Sequence, residues 1–259
     1  MYLSLGVLLM ISLLFVSVLP GVSQAGVPSA SRKEAVLKEA RGLMDQHPTN
    51  ADKLREAISL LEGYAPQFSG EVRIPLYLAE AYYRLADPAA DVSRELPYYE
   101  KTESYAKKVL EMDPNRAEAH YWYGLALLKK AQEKGGIGAY FLAKEGIKEL
   151  ETVRRTRPDY DHAGAARVLG LLYCLAPGWT PFGNLDKSIA MGQEATRLAP
   201  DFPLNRLYLA NAYKKRGDKD AAIKEYQKLL ADAAKQLAPQ EEDFAQQART
   251  SLRSLGYPI

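Results

Sequence analysis

Three histidines, one cysteine and one glycine cluster are the residues whose types could carry chemistry in this chain, and none stands in a pattern that does. His47, His120 and His162 are not spaced to place two imidazoles on one helical face around a metal ion. His162 follows Asp161 at a helix start and reads as part of a capping neighbourhood, while His120 takes a position suited to a large packing residue and reads as core. Cys174 is the only cysteine, so no intrachain disulfide forms, and its place beside Tyr173 and Leu175 suits a buried, inert thiol. Gly135 to Gly138 (GGIG) has the glycines of a phosphate loop but follows no strand and lacks the downstream Lys-Ser/Thr. It reads as a turn inside a helical hairpin. No nucleophile elbow, zinc signature or dinucleotide fingerprint occurs, and no two carboxylates stand out from helix-surface charge. The expectation is a protein with no catalytic residue, no metal and no cofactor, hence not an enzyme.

What the chain does specify is helices. In Asn205 to Leu230, Leu209, Ala210 and Tyr213 make one helical face and Gly217-Asp218 a turn. Ala222, Tyr226 and Leu229 make the facing stripe of a second helix. The same skeleton recurs upstream with Leu169, Gly170 and Tyr173 followed by Ser188, Gly192 and Ala195. It appears again as Tyr123, Gly124 and Leu127 followed by Gly146, Leu150 and Val153, and as Leu78, Ala79 and Tyr82 followed by Ala106 and Val109. Residues 32–46 with Ala57, Leu61 and Tyr64 form a degenerate first copy. Pro114, Pro158 and Pro200 close the second helices, where a proline cannot continue the ladder.

These small and large apolar positions resemble the tetratricopeptide repeat (TPR) family. That resemblance implies an all-α fold, an α-solenoid of about five TPR-like helical hairpins plus a C-terminal capping helix over residues of about 240 to 254. A lone hairpin cannot bury its apolar face, so the copies must stack. No Gly/Ser/Pro-rich linker divides them, and residues 26–259 are expected to form a single repeat domain. Charge is nearly balanced, 34 basic against 32 acidic residues, which gives no argument for nucleic acid. The 17 tyrosines, against 6 phenylalanines, are accounted for by repeat packing.

The resemblance implies a concave groove lined by first helices, and register carries its positions onto Arg73, Leu76, Glu80, Tyr83 and Arg84, then Tyr121, Leu125 and Lys129, then Arg167 and Leu171, then Leu207, Asn211, Lys214 and Lys215. Cations outnumber anions, which favours a protein or peptide partner bearing carboxylates, or a small organic anion. Arg73, Arg84 and Arg167 are expected to converge there, beside Tyr83 and Tyr121; the competing reading is a solvated face without a dedicated ligand. The basic clamp of chaperone-binding repeat proteins is not reproduced. Three stretches exceed an ordinary hairpin turn: 87–97, 133–140 and 176–184. They either project together as a rim, with Trp179 and Phe182 as its apolar members, or fold back over their own hairpins.

The first 25 residues carry no charge and run through LSLGVLLMISLLFVSVL to Pro20-Gly21, with Ser23 and Ala25 at the positions a signal peptidase reads. Residues 1–25 are a signal peptide, placing the protein in the periplasm or outside the cell, or residues 3–19 remain as an uncleaved inner-membrane anchor. Stretched hairpins behind such a leader resemble the T-component proteins of TRAP transporters, although the lipid-bearing cysteine of those proteins is absent. The phrase DPNRAEAHYWYG, residues 113–124, resembles the regulators of microtubule dynamics. The function expected is a non-enzymatic scaffold binding a protein or peptide in its groove, with a small organic-anion carrier or transporter accessory as the alternative.

Overall fold

The computed structural model describes residues 29–46, 50–86, 92–233 and 242–258; the expected signal peptide, residues 1–25, and His47 lie outside the described residues. Eleven α-helices occur among the described residues: α1 Ser29–Gln46, α2 Ala51–Tyr64, α3 Arg73–Leu85, α4 Val92–Met112, α5 Ala117–Lys134, α6 Gly136–Thr156, α7 Tyr160–Leu175, α8 Leu185–Leu198, α9 Pro203–Arg216, α10 Lys219–Ala233 and α11 Glu242–Ser254. Consecutive helices pair into five antiparallel hairpins, and α11 packs against the last. The chain is an all-α helical-repeat solenoid, as its apolar spacing requires.

The repeat positions are the core. Leu61, Ala79, Ala106, Val109, Leu150, Val153, Leu169, Ala210, Ala222 and Tyr226 have no exposed surface. Small residues set how closely helices approach: a methyl placed on Gly124 would lie 3.1 Å from the Gly146 carbonyl and 3.0 Å from Leu150 Cγ, so α5 and α6 touch backbone to backbone. On α11, Ala245, Ala248 and Leu252 close over Tyr226 and Leu229, covering the apolar face that a further repeat would cover. Helix ends follow local chemistry. Asn50 and Asn184 accept backbone N–H bonds at the starts of α2 and α8. Gly217, at φ 94°, ends α9 with its own N–H on the Lys214 carbonyl and that of Asp218 on Tyr213.

Of the three long turns, residues 133–140 are not a loop. Only Gly135, at φ 65°, separates α5 from α6, so residues 133–140 lengthen those helices to 18 and 21 residues. Residues 92–97 are the first turns of α4, and 87–91 lie outside the described residues. The third is a loop because Pro177 and Gly178 stop α7. It is pinned where Asn184 N–H donates to the Tyr173 carbonyl at 3.0 Å and the Thr180 hydroxyl to that of Pro177 at 2.7 Å.

The start of α7 departs most from sequence expectation. Asp161, His162 and Ala163 are left-handed, with φ of 50°, 54° and 61°. His162 is therefore part of a strained turn and stacks on Phe202, 4.5 Å between ring centroids, rather than serving a simple cap. His120 also departs from the core reading: it is half-buried and bridges the Glu149 carboxylate and the Pro114 carbonyl.

Candidate protein-binding groove

The first helices, α1, α3, α5, α7 and α9, run parallel and share one face of the solenoid. A run of rings crosses it. Tyr99 and Tyr83 lie 5.7 Å apart, Tyr83 and Trp122 5.5 Å, Trp122 and Tyr121 5.1 Å, and Tyr121 and Tyr160 5.2 Å. Spacing and tilt suit edge-to-face pairing, so the row is a rigid wall rather than a set of mobile side chains. The indole N–H of Trp122 is buried and makes only a weak approach to the Tyr160 hydroxyl.

Two charge clusters flank the wall. Glu80, 4 % exposed on α3, meets Arg84 at 2.5 Å and Arg41 of α1 at 2.8 Å. Arg41 also reaches Asp45 and lies over the Tyr77 ring. Burial pushes the Glu80 carboxyl above its ordinary range, against the pull of the two guanidinium groups. In the second cluster Asp161 accepts from the Tyr121 hydroxyl at 2.5 Å and from Arg167 at 2.6 Å. Arg167 further donates to the carbonyls of Asp161 and His162 and to Asn205 Oδ1, and Asn205 Nδ2 donates to the carbonyls of His162, Ala195 and Ala199. The left-handed turn is thus held by its neighbours, as a strained conformation of this kind must be. Gly164 is required beside it: a methyl there would lie 2.7 Å from Asp161 Oδ2 and 2.8 Å from Tyr121 Cζ.

The curve of the stack brings distant repeats within electrostatic reach. Burial raises the Tyr83 hydroxyl, and Tyr99, Asp161 and Tyr208 of α9 push it further. Burial likewise raises Tyr160, reinforced by Glu80 and Asp161. Glu80, Tyr83, Trp122, Tyr160, Asp161, Arg167 and Tyr208 therefore border one basin built from α3, α5, α7 and α9. Tyr99, Tyr121, Trp122, Glu80 and Arg167 are buried, so what it presents outward is part of the rings and hydroxyls of Tyr83, Tyr160 and Tyr208.

Of the positions expected to line the groove, Glu80, Tyr83 and Arg84 stand at this basin, and Lys129 Nζ lies 6.0 Å from the centroid of the buried Tyr99 ring behind Tyr83. Others do not present themselves as expected. Tyr121 is 2 % exposed, and its hydroxyl faces inward to Asp161 because α7 lies over it. Arg167, 8 % exposed, is occupied by the strained turn. Arg73 lies at the other end of α3, eleven residues and about 16 Å from Arg84. Its fork is taken by Glu34 and Glu71. Asn211 accepts from Tyr226 and Lys214 donates to Ser254, so both face the second helix and the cap. Leu76, Leu125 and Leu207 are core. Trp122, Tyr160, Asp161, Tyr208 and Arg41 were not read from sequence as groove residues. The adjacent Tyr160-Asp161 just after Pro158 was the available signal, but nothing in a repeat register announces a left-handed turn.

At the hairpin-turn edge Phe182 stacks on Tyr140 of the neighbouring hairpin, 5.5 Å between centroids, and Trp179 stands 87 % exposed. Ile137, Phe141 and Leu175 are also exposed.

Stacked antiparallel hairpins, small residues at the crossings and a covering terminal helix define the fold of tetratricopeptide-repeat proteins. A thermophilic TPR protein of Thermus thermophilus, TTC0263, shares it at a TM-score of 0.63 and 18 % identity, covering 85 % of this chain and 98 % of its own. MamA of Desulfovibrio magneticus shares it at a TM-score of 0.52 and 23 % identity, covering 78 % and 98 %. Residues 36–149 match the family model of regulator of microtubule dynamics protein 1-3, which spans the phrase at 113–124. No curated protein matches the chain.

Proposed function

We propose that this protein is a non-enzymatic scaffold that holds a segment of a partner protein against the half-buried tyrosines Tyr83, Tyr160 and Tyr208. The observation that carries the reading is that Tyr83 and Tyr160, half-buried on two different hairpins, are braced from beneath by the buried rings of Tyr99, Tyr121 and Trp122. Tyr83 and Tyr160 are already ordered by ring contacts, so binding costs little further entropy at those two side chains. The fold shared with TTC0263 and MamA is consistent with a scaffold; the repeat architecture supplies surface, not a reaction centre. The uncharged leader and Ser23-Gln24-Ala25 support a place of action in the periplasm or outside the cell.

Two experiments test this. Partner capture by the full chain is compared with capture by the Tyr83→Ala/Tyr208→Ala variant at equal helicity by circular dichroism; the variant is expected to lose the partner, and undiminished capture contradicts the reading. N-terminal sequencing of the exported protein is expected to begin at Gly26. Intact residues 1–25 in a membrane fraction would replace export with anchoring.

A further inference from the structure

Four of the five large apolar side chains that stand exposed among the described residues gather at one hairpin-turn edge. Ile137 and Phe141 lie one turn apart at the start of α6, Leu175 ends α7, and Trp179 tips the loop that follows. Phe141 meets Tyr140 edge to face, and Tyr140 stacks on Phe182, which ties α6 to that loop. Hydrogen bonds at Thr180 and Asn184 fix the loop with the Trp179 ring outward. A charge pattern runs with this patch. At i, i+4, i+7 and i+11 of one α6 face stand Ile137, Phe141, Lys144 and Lys148, all exposed. The stem of Lys134 lies along the same end of the helix, since a methyl on Gly138 would stand 2.6 Å from its Cε. None of these three ammonium groups meets a carboxylate among the described residues. Glu145 is turned to the Tyr123 hydroxyl and Glu149 to His120, so no acid shares the stripe, and Glu133 at the end of α5 is outnumbered.

We propose that this edge docks on an anionic lipid bilayer. Ile137, Phe141, Leu175 and Trp179 enter the boundary between acyl chains and headgroups, and Lys134, Lys144 and Lys148 meet the lipid phosphates. The order of residues along α6 carries the choice of occupant. Its apolar side chains come first and its lysines follow one to three turns behind, about 5–16 Å along the axis. A helix tip entering a bilayer meets the same order in reverse, anionic headgroups outside an apolar boundary that is reached within about 5–10 Å. Tryptophan suits that boundary, with an apolar ring and one N–H, and Lys134 keeps its ammonium in water while its stem covers apolar surface. A second copy of this chain fits less well, because a two-fold contact over the stripe sets lysine against lysine. The contact lies on the turn edge and leaves Tyr83, Tyr160 and Tyr208 of the first-helix face free, so it does not depend on the scaffold reading.

The chain has two tryptophans and Trp122 is buried, so quenching by lipid reports on Trp179. The test adds vesicles of phosphatidylcholine, with or without phosphatidylglycerol, to the full chain and follows tryptophan emission and co-sedimentation. With phosphatidylglycerol, emission is expected to shift to the blue and to be quenched by lipids brominated near the headgroup end of their acyl chains. Binding should be at least about tenfold tighter than to phosphatidylcholine alone. At equal helicity, Ile137→Ser/Phe141→Ser should lose the quenching and Lys144→Gln/Lys148→Gln the preference for phosphatidylglycerol. Met112→Ser, exposed at the end of α4 away from the hairpin turns, should change neither. No vesicle binding, equal binding to both vesicles, or patch variants that behave as wild type overturns the proposal and leaves the patch to a protein. Binding without quenching of Trp179 also overturns it, since the apolar residues 3–19 then account for attachment.

Discussion

Arg167 ties several parts of this molecule together. It neutralises Asp161, caps two carbonyls of a left-handed turn and joins α7 to Asn205 of α9. Removing one member of a buried ion pair strands the other, which costs about 3–5 kcal/mol. Asp161 is 34 % exposed and solvent offsets part of that cost, so Arg167→Met is expected to lower unfolding stability by about 1–3 kcal/mol in a denaturant titration. Adding Asp161→Asn should cost less than the sum of the two single changes, because the stranded carboxylate is then gone. Strict additivity would contradict the coupling. His162 tests the turn itself. Glycine in an ordinary helix costs about 1 kcal/mol relative to alanine, but at φ 54° it relieves strain. His162→Gly should melt no lower than His162→Ala, which loses the same Phe202 stacking but keeps a Cβ, and a clearly lower melt for the glycine variant would place this residue in a right-handed helix. At the opposite end of α3, Arg73 and Lys33 hold the Glu71 carboxyl at about 2. A depressed carboxyl stabilises the fold above its unfolded value near 4.5 and loses that contribution as pH falls toward 2. Urea midpoints should fall across that window, and Glu71→Gln should flatten the fall.

Between helices, the small residues decide. Gly124→Leu would drive a side chain into the Gly146 carbonyl and Leu150, and overpacking of this kind costs about 1–3 kcal/mol. Thermal melts of the variant check it; an unshifted melt would mean that α5 and α6 do not cross there. Trp179→Ser, at a loop position 87 % exposed, should leave the same melts unchanged. Element scale is also where the sequence is most legible. Leu209, Ala210, Ala222 and Tyr226 announce a hairpin through their period, because burial on one helical face is a local, repeating requirement. Residues 133–140 look like an insertion because glycine pairs signal turns whatever lies beside them, whereas Ala139, Tyr140 and Lys144 simply continue the next helix. Register alone leaves Tyr83 and Lys129 half-buried rather than in the core. Tyr121, Arg167 and Asn211 sit at inward register positions yet face into the stack, since the strained start of α7 and the cap helix lie over them. No periodicity encodes that.

Across the whole molecule, a chain ending at residue 233 would expose Tyr226, Leu229 and Ala222, now covered by α11. Such a chain is expected to aggregate in sedimentation while the full chain remains dispersed, because a solenoid's open end must be covered. The central claim, however, is that the first-helix face meets the partner. Site-specific photo-crosslinking tests it most directly, with benzoylphenylalanine placed at Tyr208 in the basin or at Met112, exposed at the end of the second helix α4. Crosslinked partner from position 208 and none from position 112 is the predicted result. Crosslinks from position 112 alone, or equally from both, would contradict the account.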